Sequence, residues 1–274
     1  DGVNGASSIM TPRFLADSLG CAVEAISCDP SKPFPRVAEP RPETLGELQE
    51  LVRRTGAEIG FAHDPDGDRL AVCDEVGRVL DNDDVLALVV DAALERLSGD
   101  VVVNLTTSSV IDDIAARHGR RVWRTPVGEA NVVETMQAVR AVIGGEGSNG
   151  GIIFPPVHLC RDSYTGMAFL LARMAATGKS VSQLAAGLPR YWRKMGSAAY
   201  EHGRLGSLMQ ALEERFPGAG ADRTDGLKLA WPGRWIHVRS SNTEPILRLA
   251  AEARTEEEMA ALYDTVMGLF SGRE

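Results

Sequence analysis

Ile59-Gly60-Phe61-Ala62-His63-Asp64-Pro65-Asp66-Gly67-Asp68-Arg69-Leu70-Ala71-Val72-Cys73 is the stretch from which the rest of the chain is read. The apolar runs 59–62 and 70–73 have the length and composition of strands, so the charged residues between them form a loop that joins strands and not helices. Within it Asp64, Asp66 and Asp68 alternate along a Pro- and Gly-bent turn, which can aim three carboxylates at one hard divalent cation. Arg69 follows at once, and a cation beside a guanidinium suits the oxygens of a phosphoryl group in transfer. Two other readings stay open. A solvated turn uses the same residue types. A calcium hand would put Asp64, Asp66 and Asp68 at its first, third and fifth positions and Glu75 at its twelfth, but Arg69 stands where that loop needs glycine.

Two more loops carry chemistry. At Arg239-Ser240-Ser241-Asn242-Thr243-Glu244-Pro245-Ile246-Leu247-Arg248, two arginines bracket three small hydroxyls and an amide between strand-like runs, which makes either an anion cradle or a polar hairpin turn. At Gly144-Gly145-Glu146-Gly147-Ser148-Asn149-Gly150-Gly151, five glycines in eight residues permit close backbone approach, while Glu146, Ser148 and Asn149 offer partners for sugar hydroxyls. A flexible linker is the competing reading, weakened by the strand-like Ala141-Val142-Ile143 before it and Ile152-Ile153-Phe154 after it. The glycine spacing matches neither GxGxxG nor a P-loop.

Together the three loops resemble one family, the α-D-phosphohexomutases, which comprises phosphoglucomutase, phosphomannomutase and phosphoglucosamine mutase. The resemblance implies that Asp64, Asp66 and Asp68 bind Mg2+ and that Arg69 is the catalytic side chain beside the transferring phosphate. It implies that Glu146, with Ser148 or Asn149, contacts sugar. Arg239, Ser241, Asn242 and Thr243 would hold the substrate's stationary phosphate, flanked by Arg248. Thr125-Pro126-Val127-Gly128 resembles the family's specificity loop, through Thr125, Val127 and Gly128. The implied reaction is an isomerase's: phosphoryl transfer between the C1 and C6 hydroxyls of a hexose monophosphate, through a phosphoserine and a hexose 1,6-bisphosphate that also serves as activator.

Three departures accompany the resemblance. No Thr/Ser-x-Ser-His-Asn-Pro segment, the family's phosphoserine site, occurs in these residues, and Asp1-Gly2-Val3-Asn4-Gly5 reads as a loop after a strand that is not present. We therefore expect a fragment without the N-terminal phosphoserine domain, inactive alone. The sugar loop is one residue longer than the common pattern and lacks a following histidine. Ala130-Asn131 stands where many members carry a basic residue, so the choice among glucose, mannose and glucosamine is not encoded in these loops. The alternative from another class is a non-catalytic phosphosugar-binding protein. A metal-dependent phosphatase with Asp64 as nucleophile is a further rival, opposed by Gly67 after the second aspartate.

Composition agrees. The 274 residues are 44% hydrophobic and 24% charged, enough for two or three domains. A formal charge of −9 argues against nucleic acid as a partner. No apolar run approaches a membrane span, and Cys21, Cys28, Cys73 and Cys160 are scattered without a metal-binding spacing, which fits a reduced, cytoplasmic protein. The expected fold is α/β: two three-layer α/β domains with mixed sheets, residues 1–81 with the metal loop and 82–188 with the sugar loop, then a smaller α+β C-terminal phosphate-binding domain, 189–274. Thr44 with Glu47 predicts a capping box before a helix bearing Leu48, Leu51 and Val52, and Thr255 with Glu258 predicts another before Met259, Leu262, Tyr263, Val266 and Phe270. Residues 101–105 read as a buried strand followed by a helix from Ser109, and 164–176 as a well-buried helix. His158, Arg161 and Asp162 are read as cleft-lining at most, with Arg161 and Asp162 as a local ion pair. Trp192, Trp231 and Trp235 are read as core or interface aromatics.

Overall fold

After a short helix, Met10–Arg13 (α1), the chain reaches Gly46–Thr55 (α2), which turns Leu48, Leu51 and Val52 inward. Strands Ile59–His63 (β1) and Leu70–Asp74 (β2) then pair antiparallel, Gly60 opposite Cys73 and Ala62 opposite Ala71. Leu48 and Val52 pack on Ala62, Ala71 and Cys73, so the helix's apolar stripe covers one face of the hairpin. The capping box expected from Thr44 and Glu47 does not form. Thr44 instead closes a 3-10 turn, Pro42–Thr44, where its Oγ1 accepts the Arg41 N–H at 3.0 Å, and α2 begins at Gly46 without a side-chain cap. Pro42 presets that earlier turn and draws the hydroxyl to it.

The computed structural model describes residues 1–199, 205–241 and 245–271. The chain divides into two compact units, one of residues 1–124 and 128–189, the other of 125–127 and 190–274. Residues 1–81 and 82–188 thus fall almost wholly in the first unit. Among the described residues, segment 1–81 contributes only the two-stranded ladder β1–β2.

The larger sheet of the first unit uses Val101–Asn104 (β3), Val122–Thr125 (β4), Ile143–Glu146 (β5), Gly151–Phe154 (β6) and His158–Arg161 (β7), in the order β4-β3-β5-β6-β7. β3 and β5 are parallel, whereas β5, β6 and β7 are antiparallel, so the sheet is mixed. Its helices are Asn82–Leu94 (α3), Val110–Arg117 (α4), Glu129–Val139 (α5), Ser163–Thr177 (α6) and Val181–Ala186 (α7). Successive residues of β6 show the layering. Ile153 clusters with Val132 and Met136 of α5, while Ile152 lies against Gly166 of α6. Alternate side chains point to opposite faces, so helices cover both.

α6 differs from its expected burial. Thr165, Gly166, Met167 and Leu170 are buried, but Ala172, Ala175 and Ala176 are exposed. An alanine-rich run sustains a helix by propensity and needs no covering.

The second unit is an antiparallel sheet of Trp192–Ala199 (β8), Gly220–Asp222 (β9), Leu227–Trp231 (β10), Arg234–Ser240 (β11) and Ile246–Ala253 (β12), ordered β8-β12-β11-β10-β9. Leu205–Arg215 (α8) and Glu256–Ser271 (α9) supply helices. Leu229, Ile236, Val238, Leu247 and Leu249 form its core with Leu212 of α8 and with Met259, Leu262, Tyr263 and Val266 of α9. Thr255 caps α9, its Oγ1 accepting the Glu258 N–H at 3.2 Å, which is one half of the expected box. Trp231 packs against this core and meets Phe216 edge to face, whereas Trp235 is buried on the other face of the sheet with its indole N–H on Glu252 at 2.7 Å. Among the described residues no helix is long and apolar enough to cross a membrane.

Candidate active site

β1 ends at His63 and delivers Asp64 to a turn closed by the Gly67 N–H on the Asp64 carbonyl at 3.1 Å. Gly67 has φ +79°, and a Cβ there would collide with Ser7 Oγ, so the turn needs glycine on both counts. The loop is braced from two sides. Ala6 N–H bonds Pro65 O at 2.7 Å, and the buried Ser163 hydroxyl bonds Gly67 O at 2.6 Å.

Asp64, Asp66 and Asp68 each bring a carboxylate oxygen within 4.8 Å of the other two. Asp64 is buried, and burial pushes its carboxyl up to about 6; the Arg69 N–H opposes the rise, while the charges of Asp68 and Asp66 add to it. Asp68 Oδ1 is buried without a hydrogen-bond donor. Three crowded carboxylates, one with an orphaned oxygen, fit a hard divalent cation, because all-oxygen donor sets favour such ions over soft ones.

Two guanidiniums flank the carboxylates. Arg69 donates its backbone N–H to Asp64 at 3.1 Å, holds Nε 3.3 Å from Asp64 Oδ2 and pairs with Glu39 at 3.1 Å. Arg161 departs from its expected local pairing with Asp162. It reaches Asp68 at 2.6 Å, Glu129 at 2.8 Å and Glu146 at 3.9 Å, while Asp162 caps α6 through the Tyr164 N–H at 2.9 Å. A carboxylate at an N-cap is already committed to the helix, which leaves the arginine to the strand face of β7.

The glycine-rich run is more ordered than a linker. Gly144 and Gly145 belong to β5, and Gly147–Asn149 form a 3-10 turn with Ser148 and Asn149 half-buried. Glu146 is 3% exposed, and its Oε1 accepts from Asn104 at 2.8 Å and from the Gly128 N–H at 2.9 Å. This run and the carboxylate loop meet directly: Arg69 bridges Gly151, and Leu70 N–H bonds Gly150 O at 3.1 Å. Of the Thr125-Pro126-Val127-Gly128 loop, Thr125 ends β4 and is buried, Val127 is half-buried, and Gly128 carries the bond to Glu146.

In the second unit, Arg239 and Arg248 are register partners across β11 and β12. Their neighbours Val238, Leu247 and Leu249 face the core, so both arginines stand on the opposite face, side by side. Ser241 N–H bonds Ile246 O at 2.9 Å and closes the hairpin above them. Asn242 and Thr243 lie outside the described residues.

Several members of the cluster carry no local sequence signal. Glu39, Asn104, Glu129 and Ser163 come from separate segments and converge only through the fold. Asn104 has a structural task beyond Glu146, since its Oδ1 accepts the N–H groups of Thr106 and Thr107, each at 3.0 Å. The one available hint was Glu129, which directly follows the Thr125–Gly128 loop.

Sequence models of one family match in series: phosphoglucomutase/phosphomannomutase alpha/beta/alpha domain II over residues 1–77, alpha/beta/alpha domain III over 81–191 and the C-terminal domain over 208–269. A phosphoglucomutase/phosphomannomutase of Thermococcus kodakarensis is 38% identical over 261 residues, covering 94% of this chain and 57% of the relative. A protein of Methanopyrus kandleri named "probable phosphoglucosamine mutase" is 36% identical over 268 residues, 96% of this chain and 59% of its own length. The crystal structure of a phosphoglucomutase/phosphomannomutase family protein from Burkholderia thailandensis superposes with a TM-score of 0.84 at 25% identity, covering all of this chain and 59% of that one. The chain therefore spans under two thirds of the length of these relatives. With three successive domain models covering most of its residues and the acidic, glycine-rich and arginine-bearing loops falling within them, the chain belongs to the phosphoglucomutase/phosphomannomutase family of α-D-phosphohexomutases.

Proposed function

We propose that the intact protein is a magnesium-dependent phosphohexomutase that moves a phosphoryl group between the C1 and C6 hydroxyls of a hexose monophosphate, with a hexose 1,6-bisphosphate as intermediate and activator. The observation that carries this reading is the junction of the carboxylate loop with the glycine-rich loop, through the Arg69–Gly151 bridge and the Arg161 contacts to Asp68 and Glu146. It sets a cation-demanding cluster beside groups suited to sugar hydroxyls. The relatives named above as mutases of hexose phosphates support the reading.

In this reading Asp64, Asp66 and Asp68 hold the cation, which would neutralise charge on the transferring phosphoryl group. Arg69 donates to phosphoryl oxygens, in the position where it now meets Asp64 and Glu39. Glu146 Oε2 accepts a sugar hydroxyl, with Ser148 and Asn149 as further partners and the Thr125–Gly128 loop bearing on sugar choice. Arg239, Ser241, Asn242, Thr243 and Arg248 grip the phosphate that does not move. The phosphoserine donor is assigned to the intact protein, since no Ser-His-Asn-Pro segment occurs in these 274 residues. We place three domains at 1–81, 82–188 and 189–274, supported by the family spans 1–77, 81–191 and 208–269. Four unpaired cysteines support a cytoplasmic location.

31P NMR of the full-length protein with hexose 1-phosphate, Mg2+ and catalytic bisphosphate tests the proposal. Interconversion of the 1- and 6-phosphate signals is expected. Growth of inorganic phosphate alone would instead mark a phosphatase, and saturable binding without any new signal a non-catalytic phosphosugar-binding protein.

A further inference from the structure

Arg161 lies among several carboxylates at once, ion-paired to them although its buried Nε makes no hydrogen bond. Its side chain is only 17% exposed, its three guanidinium nitrogens face three different carboxylates, and its own backbone N–H also points to Glu129, at 3.4 Å. Gly151 makes room for the stem, since a Cβ there would run into Arg161 Cδ. Of these contacts the shortest is to Asp68 Oδ2, at 2.6 Å. That oxygen belongs to the same carboxylate whose buried Oδ1 accepts no hydrogen bond and has Arg69 Nε 3.9 Å away. A guanidinium and a divalent cation sharing one carboxylate repel each other, and at a few ångströms that repulsion is several times thermal energy even in a polarisable site.

We propose that Arg161 is a positioning residue that acts as a built-in counter-cation: it steadies Asp68 in the absence of a divalent ion, lowers the affinity of the aspartate cluster for that ion, and ties ion binding to Glu129 and Glu146. When an ion takes Asp68, Arg161 shifts its charge toward the two glutamates. The state of the cluster is thereby passed to Glu146, the proposed sugar contact, and to the start of α5. This rests on the reading of Asp64, Asp66 and Asp68 as the cation seat.

Titration of Mn2+ into the full chain by calorimetry, with no substrate present, tests it. Arg161→Met should bind Mn2+ about tenfold more tightly than the wild type, because one positive charge has left the seat. Arg161→Lys, which keeps the charge, should stay within about threefold. An affinity in Arg161→Met equal to or weaker than wild type, with an unchanged circular dichroism spectrum, overturns the proposal. Should the methionine variant fail to fold, Arg161→Gln, which keeps hydrogen-bonding capacity, carries the same expectation. Asp66→Asn separates the two layers of the argument. Loss of Mn2+ binding there is required by the seat itself; retained binding would overturn both the seat and the Arg161 proposal, whereas loss there with no tightening in Arg161→Met overturns the proposal alone.

Discussion

The carboxylate loop of the first unit and the arginine hairpin of the second deal with surplus charge in contrasting ways. In the loop, three aspartates crowd within 4.8 Å, and each nearby guanidinium is already engaged, Arg69 by Asp64 and Glu39, Arg161 by Asp68 and Glu129. In the hairpin, Arg239 and Arg248 stand directly opposite each other as a cross-strand pairing of like charges. The backbone differs too. The loop is pinned by a positive-φ glycine, by Ala6 and by Ser163, whereas the arginines project from regular strands next to a hairpin mouth. A cation seat has to fix several ligands at once and therefore needs bracing from outside the loop. The hairpin needs no such bracing to set its two arginines side by side, because the register of a β-ladder does so by itself.

The sharpest way to break this contrast is to remove one ligand from the seat. Asp66 is exposed, so Asp66→Ala in the full-length protein should leave the melting temperature nearly unchanged while the proposed mutase kcat falls about 10^3-fold. Steady-state kinetics at saturating Mg2+ check it, and an intact kcat would remove Asp66 from the site. Next in size is the bracing. Gly67→Ala introduces both a disallowed φ and a collision with Ser7, and should destabilise the first unit by about 3 kcal/mol in urea unfolding. A change below about 0.5 kcal/mol would mean that the loop is not held as described.

How much of this could be read in the sequence depends on how local each interaction is. The β1–loop–β2 unit, the α9 cap and the strand, loop, strand order around Arg239 were legible, because alternation, capping residues and glycine placement act within a few positions. The role of Arg161 was not. Its neighbour Asp162 offers the obvious partner in sequence, yet helix capping takes that carboxylate, and Asp68, Glu129 and Glu146 reach the guanidinium from 93, 32 and 15 positions away, separations that follow from the residue numbers. The Thr44 cap failed for a related reason, since Pro42 set up a nearer turn that took the hydroxyl. The second-unit sheet was likewise readable as strands, but the direct opposition of Arg239 and Arg248 depends on register, which becomes fixed only when both strands are paired.

The hairpin half of the contrast gives a smaller effect. Arg239→Ala should raise KM for hexose phosphate about 10- to 100-fold and leave kcat within about threefold, the signature of a lost charge-assisted contact made equally in ground and transition states. A fall in kcat with KM unchanged would move Arg239 from grip to chemistry. The smallest effect comes from a control carboxylate that is satisfied rather than crowded. Glu75 accepts from the Ser180 hydroxyl at 2.5 Å, from the Ser182 hydroxyl and from the Ser182 N–H at 3.2 Å, at the start of α7. Burial works to raise its pKa, but these hydrogen bonds outweigh it and hold the carboxyl down at about 2, against an ordinary 4.5. Because the folded pKa is the lower one, the ionised group adds stability that is fully present above about pH 4.5 and fades as the pH falls toward 2. Glu75→Gln should therefore cost about 1 kcal/mol at pH 7 after solvent screening, and the gap to wild type should close in acid melts. A gap that widens on acidification would reverse the assignment.

Anomalous diffraction from crystals of the chain grown with Mn2+ tests the central claim most directly, that the aspartate cluster is a cation seat. The account predicts a peak bounded by Asp64, Asp66 and Asp68; an empty cluster at millimolar Mn2+, with all three carboxylates well ordered, would contradict it.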